Sequence, residues 1–207
     1  MELDKEILDK LARIRIAKVP YQVAIENPTH FQLLGQGKQG AVFQIDEERC
    51  VKIYFNNSSL KKELHALQLG GKLDICPKLY LWGDRFIVME YLDAPSLFDY
   101  LQQQPITKPL TRRIIHLLDC FEQVGFNRFD QSARHIYLLP SGQIKVIDLV
   151  HIIKNSPVWL AEKLIKDMGD QRKQFIDYVQ EISPKWYERW VNHDDFSSLM
   201  KTAKDRV

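Results

Sequence analysis

The 207-residue chain is predicted to adopt an α+β fold in which an antiparallel, β-rich stretch precedes a mostly helical one. Three observations carry that expectation. Residues 31–55 alternate apolar and polar side chains around a glycine-rich run, the period of half-buried strands. Two short apolar runs, 136–139 and 143–147, flank Pro140-Ser141-Gly142 in the pattern of a hairpin. Beyond residue 159, Trp159, Leu160, Leu164, Phe175, Ile176, Val179, Trp186, Trp190, Phe196 and Leu199 recur at helical spacing. With 45% hydrophobic residues the chain can bury a substantial core, as one compact domain or two small lobes.

At the N-terminus, Leu3, Ile7, Leu8, Leu11 and Ile14 predict an amphipathic helix from residue 3 to about 18. It is expected to cover an apolar surface of the main domain, the alternative being a membrane-surface or partner-binding helix. Pro20 and Pro28 break the chain, because proline lacks an amide donor and keeps its neighbours out of the α region. The organised domain is expected to start near Phe31.

The run LGQGKQGAVF places Gly35, Gly37 and Gly40 between two strand-like segments. Glycines accept backbone angles barred to other residues and let amides approach phosphate oxygens. A dinucleotide-binding unit would open a helix here, whereas AVFQI prefers a strand, so a phosphate-covering turn or an ordinary hairpin is expected. Lys52 follows in CVKIYF, where a covered strand would demand a partner or a phosphate for its ammonium and an uncovered one would let it snorkel. The next segment is expected to be a helix with Ser58 and Ser59 as caps and Leu60, Leu64 and Leu67 as its apolar stripe. Glu63 lies on that stripe. A carboxylate among leucines is costly unless paired, so a Lys52–Glu63 contact is predicted. Leu79, Leu81 and then FIVMEYL predict two more strands around a Trp82-Gly83-Asp84 turn.

At this point LGQGKQGAVF, CVKIYF, KKELHAL and IVMEYL resemble the Gly-rich loop, strand lysine, helix glutamate and hinge of the protein-kinase-like superfamily. The resemblance implies a two-lobed fold with an antiparallel N-lobe and a reduced helical C-lobe. It divides the chain into an N-terminal helical extension (1–20), an N-lobe and hinge (21–92) and a reduced C-lobe (93–207). It also implies ATP as ligand, with Gly35, Gly37 and Gly40 over the phosphates, Val42 in the nucleotide site, Lys52 contacting the phosphates and Glu63 holding Lys52. Met89 resembles the gatekeeper, and backbone groups of Glu90 and Leu92 would hydrogen-bond adenine, their side chains mattering less.

In the second half, pairing of Leu139 near Gln143 would set Asp148 opposite Arg134 and close to His135, which predicts a polar site whatever the family. Asp130 precedes Asp148 by 18 residues (148 minus 130), a separation similar to that between the catalytic-loop and metal-binding aspartates of kinases. On that resemblance Asp130 orients the acceptor hydroxyl and takes its proton, and Asp148 binds magnesium. A loop or helix-cap role is the alternative for Asp130.

Several positions depart from the family. His135 stands where an asparagine would be the second metal ligand; imidazole suits softer metals, so manganese, a phosphate contact or neither is open. Ser132 replaces a lysine, as in Rio-type kinases. Phe129 replaces the arginine that reads an activation-loop phosphate, and DLV replaces DFG, with Val150 stiffer than the glycine it replaces. No APE segment follows. Activation by loop phosphorylation is therefore not expected, and the C-terminal part resembles that of small atypical and compact bacterial serine/threonine kinases.

The net charge of +2, with acids and bases interspersed, gives no basis for nucleic-acid binding. Lys163, Lys166, Arg172 and Lys173 are expected to form a solvated face diluted by Asp167 and Asp170. Cys50, Cys76 and Cys120 lie far apart without a CxxC pair, which predicts buried, reduced thiols in a cytoplasmic protein. No apolar run reaches 18 residues, so no membrane span is expected. The expected function is ATP-dependent phosphoryl transfer, with magnesium or manganese, to a hydroxyl of a protein or small molecule; a pseudokinase that binds nucleotide or a partner is the alternative.

Overall fold

A computed structural model of the chain describes residues 5–201. Leu3, counted on the N-terminal apolar stripe, lies outside the described residues. The chain opens with helix α1 (Lys5–Arg13), followed by strands β1 (Arg15–Val19), β2 (Gln22–Glu26), β3 (Gln32–Gln36), β4 (Gly40–Gln44) and β5 (Arg49–Tyr54). Helix α2 (Asn57–Gly70) leads to β6 (Leu79–Trp82) and β7 (Phe86–Glu90). Helices α3 (Leu97–Gln103) and α4 (Lys108–Val124) precede the hairpin β8 (Ile136–Leu138) and β9 (Ile144–Val146). Four helices close the described chain: α5 (Glu162–Asp167), α6 (Arg172–Ile182), α7 (Pro184–Val191) and α8 (Phe196–Met200). The result is an α+β molecule whose described sheets are all antiparallel.

The five-stranded sheet runs β3-β4-β5-β7-β6. Side chains alternate between its two faces, and its central strands are covered on both, whereas the edge strand β3 is exposed along its length. Ala41, Phe43, Val51, Ile53 and Val88 share one cluster with Leu11, Ile14, Ile16, Val23 and Phe31. Cys50, Tyr54, Ile87 and Met89 belong to the larger cluster that continues through the helical half. Here the N-terminal expectation needs correction. The helix stops at Arg13, and Arg15–Val19 pairs with Gln22–Glu26 as a hairpin that lies over the sheet. The isoleucine and valine content of 14–25 favours strand over helix, and the packing of Ile16 and Val23 onto Phe31 and Phe43 supplies the burial that a free hairpin lacks. Ordered structure thus precedes Phe31, while Leu8 remains on the exposed side of α1.

Helix α2 begins earlier than its serines suggest: Asn56, two residues before Ser58, is the cap, its side chain accepting the Ser59 N–H at 2.9 Å. The long helix α4 is capped by Thr107 and ends at Gly125, whose φ of 85° only glycine adopts without cost. Around α4, α6 and α7 the aromatic residues form core: Trp186, Trp190, Phe175 and Phe129 are fully buried. Phe129 stacks on Trp159 with ring centroids 4.9 Å apart and leans on Trp186 at the same distance. That explains why a phenylalanine occupies this loop position: it anchors the loop in the helical core, where a guanidinium would be stranded.

Of the three loop glycines, none has positive φ, contrary to expectation. Gly40 is required by close approach instead, since a Cβ there would meet the Ile53 carbonyl oxygen at 2.0 Å, whereas Gly35 and Gly37 have open space. Gly40→Ala should therefore lower the unfolding free energy by about 1–3 kcal/mol, or more if the sheet cannot shift, while Gly37→Ala leaves it within about 0.5 kcal/mol. Urea denaturation of the two variants checks this, and equal losses would refute it.

Candidate functional site

One cavity of about 660 Å³ opens between the sheet and the β8–β9 hairpin. That volume falls within the range of ordinary small-molecule sites. Its walls include Gly35, Gly37, Gly40, Val42, Lys52, Glu63, Met89, Glu90, Leu92, His135 and Asp148, which brings together eleven of the twelve residues singled out in the sequence. Asp130, the twelfth, is not among the lining residues.

Lys52 and Glu63 meet at 2.5 Å, although β5 and α2 place them on different elements. Both are buried, with side chains 10% and 3% exposed. The outer face of the sheet is already covered by the N-terminal hairpin, so the even-numbered side chains of β5 turn toward the cavity and α2. Tyr54, two residues along, adds its hydroxyl to Glu63 at 2.9 Å, a donor that the strand period could have revealed. Lys52 also reaches Asp148 at 3.4 Å. Burial opposes the lysine charge, but the carboxylates of Glu63 and Asp148 more than offset it and hold its pKa above the ordinary value.

Asp148 follows β9 with φ 58°, in the left-handed region that aspartate tolerates better than most residues. Leu149 and Val150 then enter a single 3-10 turn, Leu149–His151, and are buried, so valine here needs none of glycine's freedom. The hairpin register pairs Ile136 with Val146, and the Ile147 N–H donates to the His135 carbonyl at 2.9 Å. His135 thereby comes under the Asp148 charge. Burial lowers its pKa below the usual histidine value, helped by Lys52 and Lys163 and opposed by Asp148. Among the described residues no group of three His, Cys, Asp or Glu side chains converges to hold a metal. Asp148 is 43% exposed and offers hard oxygens at the cavity, which fits a magnesium-type cation that takes its other ligands from phosphate and water. A neutral imidazole adds no hard oxygen to that set.

Around the glycine loop, the Gly37 N–H is spent on the Gly40 carbonyl at 3.0 Å and is not free for phosphate. The loop tip is tied to the segment after Asp148 by Gln39 and His151, whose side-chain nitrogens lie 3.0 Å apart. In the hinge, the Glu90 N–H goes to Lys78 and the Tyr91 N–H to Glu48. The Leu92 N–H has no partner among the described residues. Glu90 corrects one expectation, because its side chain matters: it accepts the buried Lys145 at 2.6 Å and the Lys78 N–H at 2.9 Å. Lys145 also binds Asp74 at 2.9 Å, so the hinge is riveted to β9. Sequence reasoning missed Lys145, whose position between Ile144 and Val146 in a three-residue buried strand was the available signal. Burial pushes the Cys50 thiol, also on the cavity wall, up to about 12, so it is inert.

Asp130 is held at the head of α5. Its carboxylate accepts the Lys163 N–H at 2.6 Å and faces the Lys163 ammonium at 3.0 Å. One turn on, Asp167 accepts the Ser132 hydroxyl and the Ala133 N–H, both at 2.8 Å. Lys163 and Asp167 are therefore not simply part of a solvated face, as their charges alone suggested; they fasten the loop 130–135.

No protein-family model matches the chain. A Bacillus subtilis (strain 168) protein named "Putative serine/threonine-protein kinase YrzF" is 25% identical over 131 residues, covering 60% of this chain and 60% of the relative. The antiparallel sheets and following helices are compatible with a kinase-like fold. No helix among the described residues is long and apolar enough to cross a membrane.

Proposed function

We propose that the protein is a small two-lobed, protein-kinase-like enzyme that moves the terminal phosphoryl group of ATP to a hydroxyl, in the first instance a serine or threonine of a protein. The observation that supports this best is the buried Lys52–Glu63 pair with Asp148 3.4 Å from the same ammonium, inside a cavity walled by the glycine loop and the hinge. Adenine would bond the Glu90 carbonyl and the Leu92 N–H. Gly35, Gly37 and Gly40 would cover the phosphates, Val42 would line the nucleotide site, and Lys52, aimed by Glu63 and Tyr54, would contact the phosphates. Asp148 would hold magnesium or manganese, which neutralises phosphate charge when bound. Asp130 would orient the acceptor hydroxyl and accept its proton.

A second reading has its own support. Both Asp130 oxygens are engaged by Lys163, and Asp130 does not line the cavity, as expected of a module that binds nucleotide without transferring from it. Asp130→Asn separates the two. In an active enzyme it should cut transfer of labelled terminal phosphate by about 100-fold or more while nucleotide-induced thermal stabilisation persists. Stabilisation of the parent by ATP without any transfer, to itself or to casein, would establish the second reading.

A further inference from the structure

We propose that Lys163 is the positioning residue of Asp130, a role that the catalytic loop itself leaves unfilled. The inference rests on the phosphoryl-transfer reading above. Within the loop, Ser132 is the residue two places beyond Asp130, but its hydroxyl is committed to Asp167 at 2.8 Å and it carries no charge. Arg128, the other nearby cation, stands 3.8 Å from Asp130, beyond hydrogen-bond reach. Lys163 alone grips both carboxylate oxygens, its backbone N–H on Oδ1 at 2.6 Å and its ammonium facing Oδ2 at 3.0 Å.

Three features suit it to more than a strut. The Asp130 side chain is 12% exposed, whereas Lys163 is 48% exposed, so one end of the pair is fixed and the other meets solvent. The Lys163 ammonium pairs with Asp130 Oδ2 at 3.0 Å as a point charge, and an ammonium carries three donors. Asp167, one turn along α5, pins Ser132 and Ala133, so the whole loop between Asp130 and His135 is registered on this helix. A carboxylate that must approach an anionic phosphoryl group repels it; a cation kept on that carboxylate offsets the repulsion and fixes the oxygen that receives the acceptor proton.

Lys163→Met and Lys163→Arg in the full chain test this, with initial rates measured against ATP and dephosphorylated casein in magnesium and melting temperatures recorded alongside. Methionine should lower kcat by about 10- to 100-fold, with KM for ATP changed less than about twofold. Arginine should restore most of the rate, and neither variant should shift the melting temperature appreciably. An unchanged or increased kcat in Lys163→Met, with an active parent, overturns the inference and leaves the function standing. Equal losses in both variants accompanied by lower melting temperatures also overturn it, because they mark a structural strut. A parent that binds ATP and transfers nothing overturns the function and the inference together.

Discussion

Replacing Glu63 with alanine should lower the unfolding free energy by about 3–5 kcal/mol, because it leaves an ammonium uncompensated in the interior. Lys52 is 10% exposed at its side chain, so it cannot recover its hydration without distorting β5. The Tyr54 hydroxyl loses its acceptor in the same step. What remains for Lys52 is Asp148 at 3.4 Å, a longer contact to a carboxylate that is itself 43% exposed. The double variant Lys52→Met, Glu63→Leu removes both charges and should recover most of the loss, since buried pairs are often replaceable by apolar groups of similar volume. It should not recover any response to nucleotide. Urea denaturation with and without ATP measures both quantities. A Glu63→Ala variant within about 1 kcal/mol of the parent would mean that the pair contributes little and that Lys52 finds solvent.

The second large effect concerns ligand rather than fold. ATP with magnesium at about 100 times its dissociation constant should stabilise the parent by about 2.7 kcal/mol, and Asp148→Asn should lose the part of that stabilisation that depends on the metal. Asparagine is the informative substitution here. It shares aspartate's tolerance of φ near 58°, so the conformation at the end of β9 is kept while the charge is removed. Asp148 is also too exposed to carry much of the intrinsic stability. Thermal melts with ATP alone and with ATP plus magnesium or manganese separate the contributions. Identical metal-dependent shifts in parent and variant would remove Asp148 from any metal-binding role.

Much of the arrangement was legible because strand and helix periods decide which side chains share a face. Alternation along β5 put Lys52 and Tyr54 on one side and Val51 and Ile53 on the other. The position of Glu63 on a leucine stripe demanded a partner, and Lys52 is that partner at 2.5 Å. The hairpin register brought Asp148 to His135 through the Pro140-Ser141-Gly142 turn. Local rules were weaker at ends and junctions. The end of α1 was misplaced because Ile14 continues the helical spacing of Ile7 and Leu11, whereas Ile14 and Ile16 are spaced as in a strand, and their clustering with Phe31 and Phe43 goes with the strand. The glycine loop was read through backbone angles, whereas Gly40 is dictated by the Ile53 carbonyl on the adjoining strand.

The amino-acid sequence by itself determined that Lys52 meets Glu63 and that Asp148 comes to His135, because those placements follow from periods of 2 and 3.6, from hairpin register and from the cost of burying an unpaired charge; the glycine-loop and hinge residues of the cavity were indicated by the family resemblance. Only the tertiary structure decided what Asp130, Glu90 and Lys163 touch. Asp130 is 33 positions from Lys163 and Glu90 is 55 from Lys145. Contacts at such separations are set by how α5 and the β8–β9 hairpin pack onto the rest of the chain, and no local preference along the chain encodes that packing.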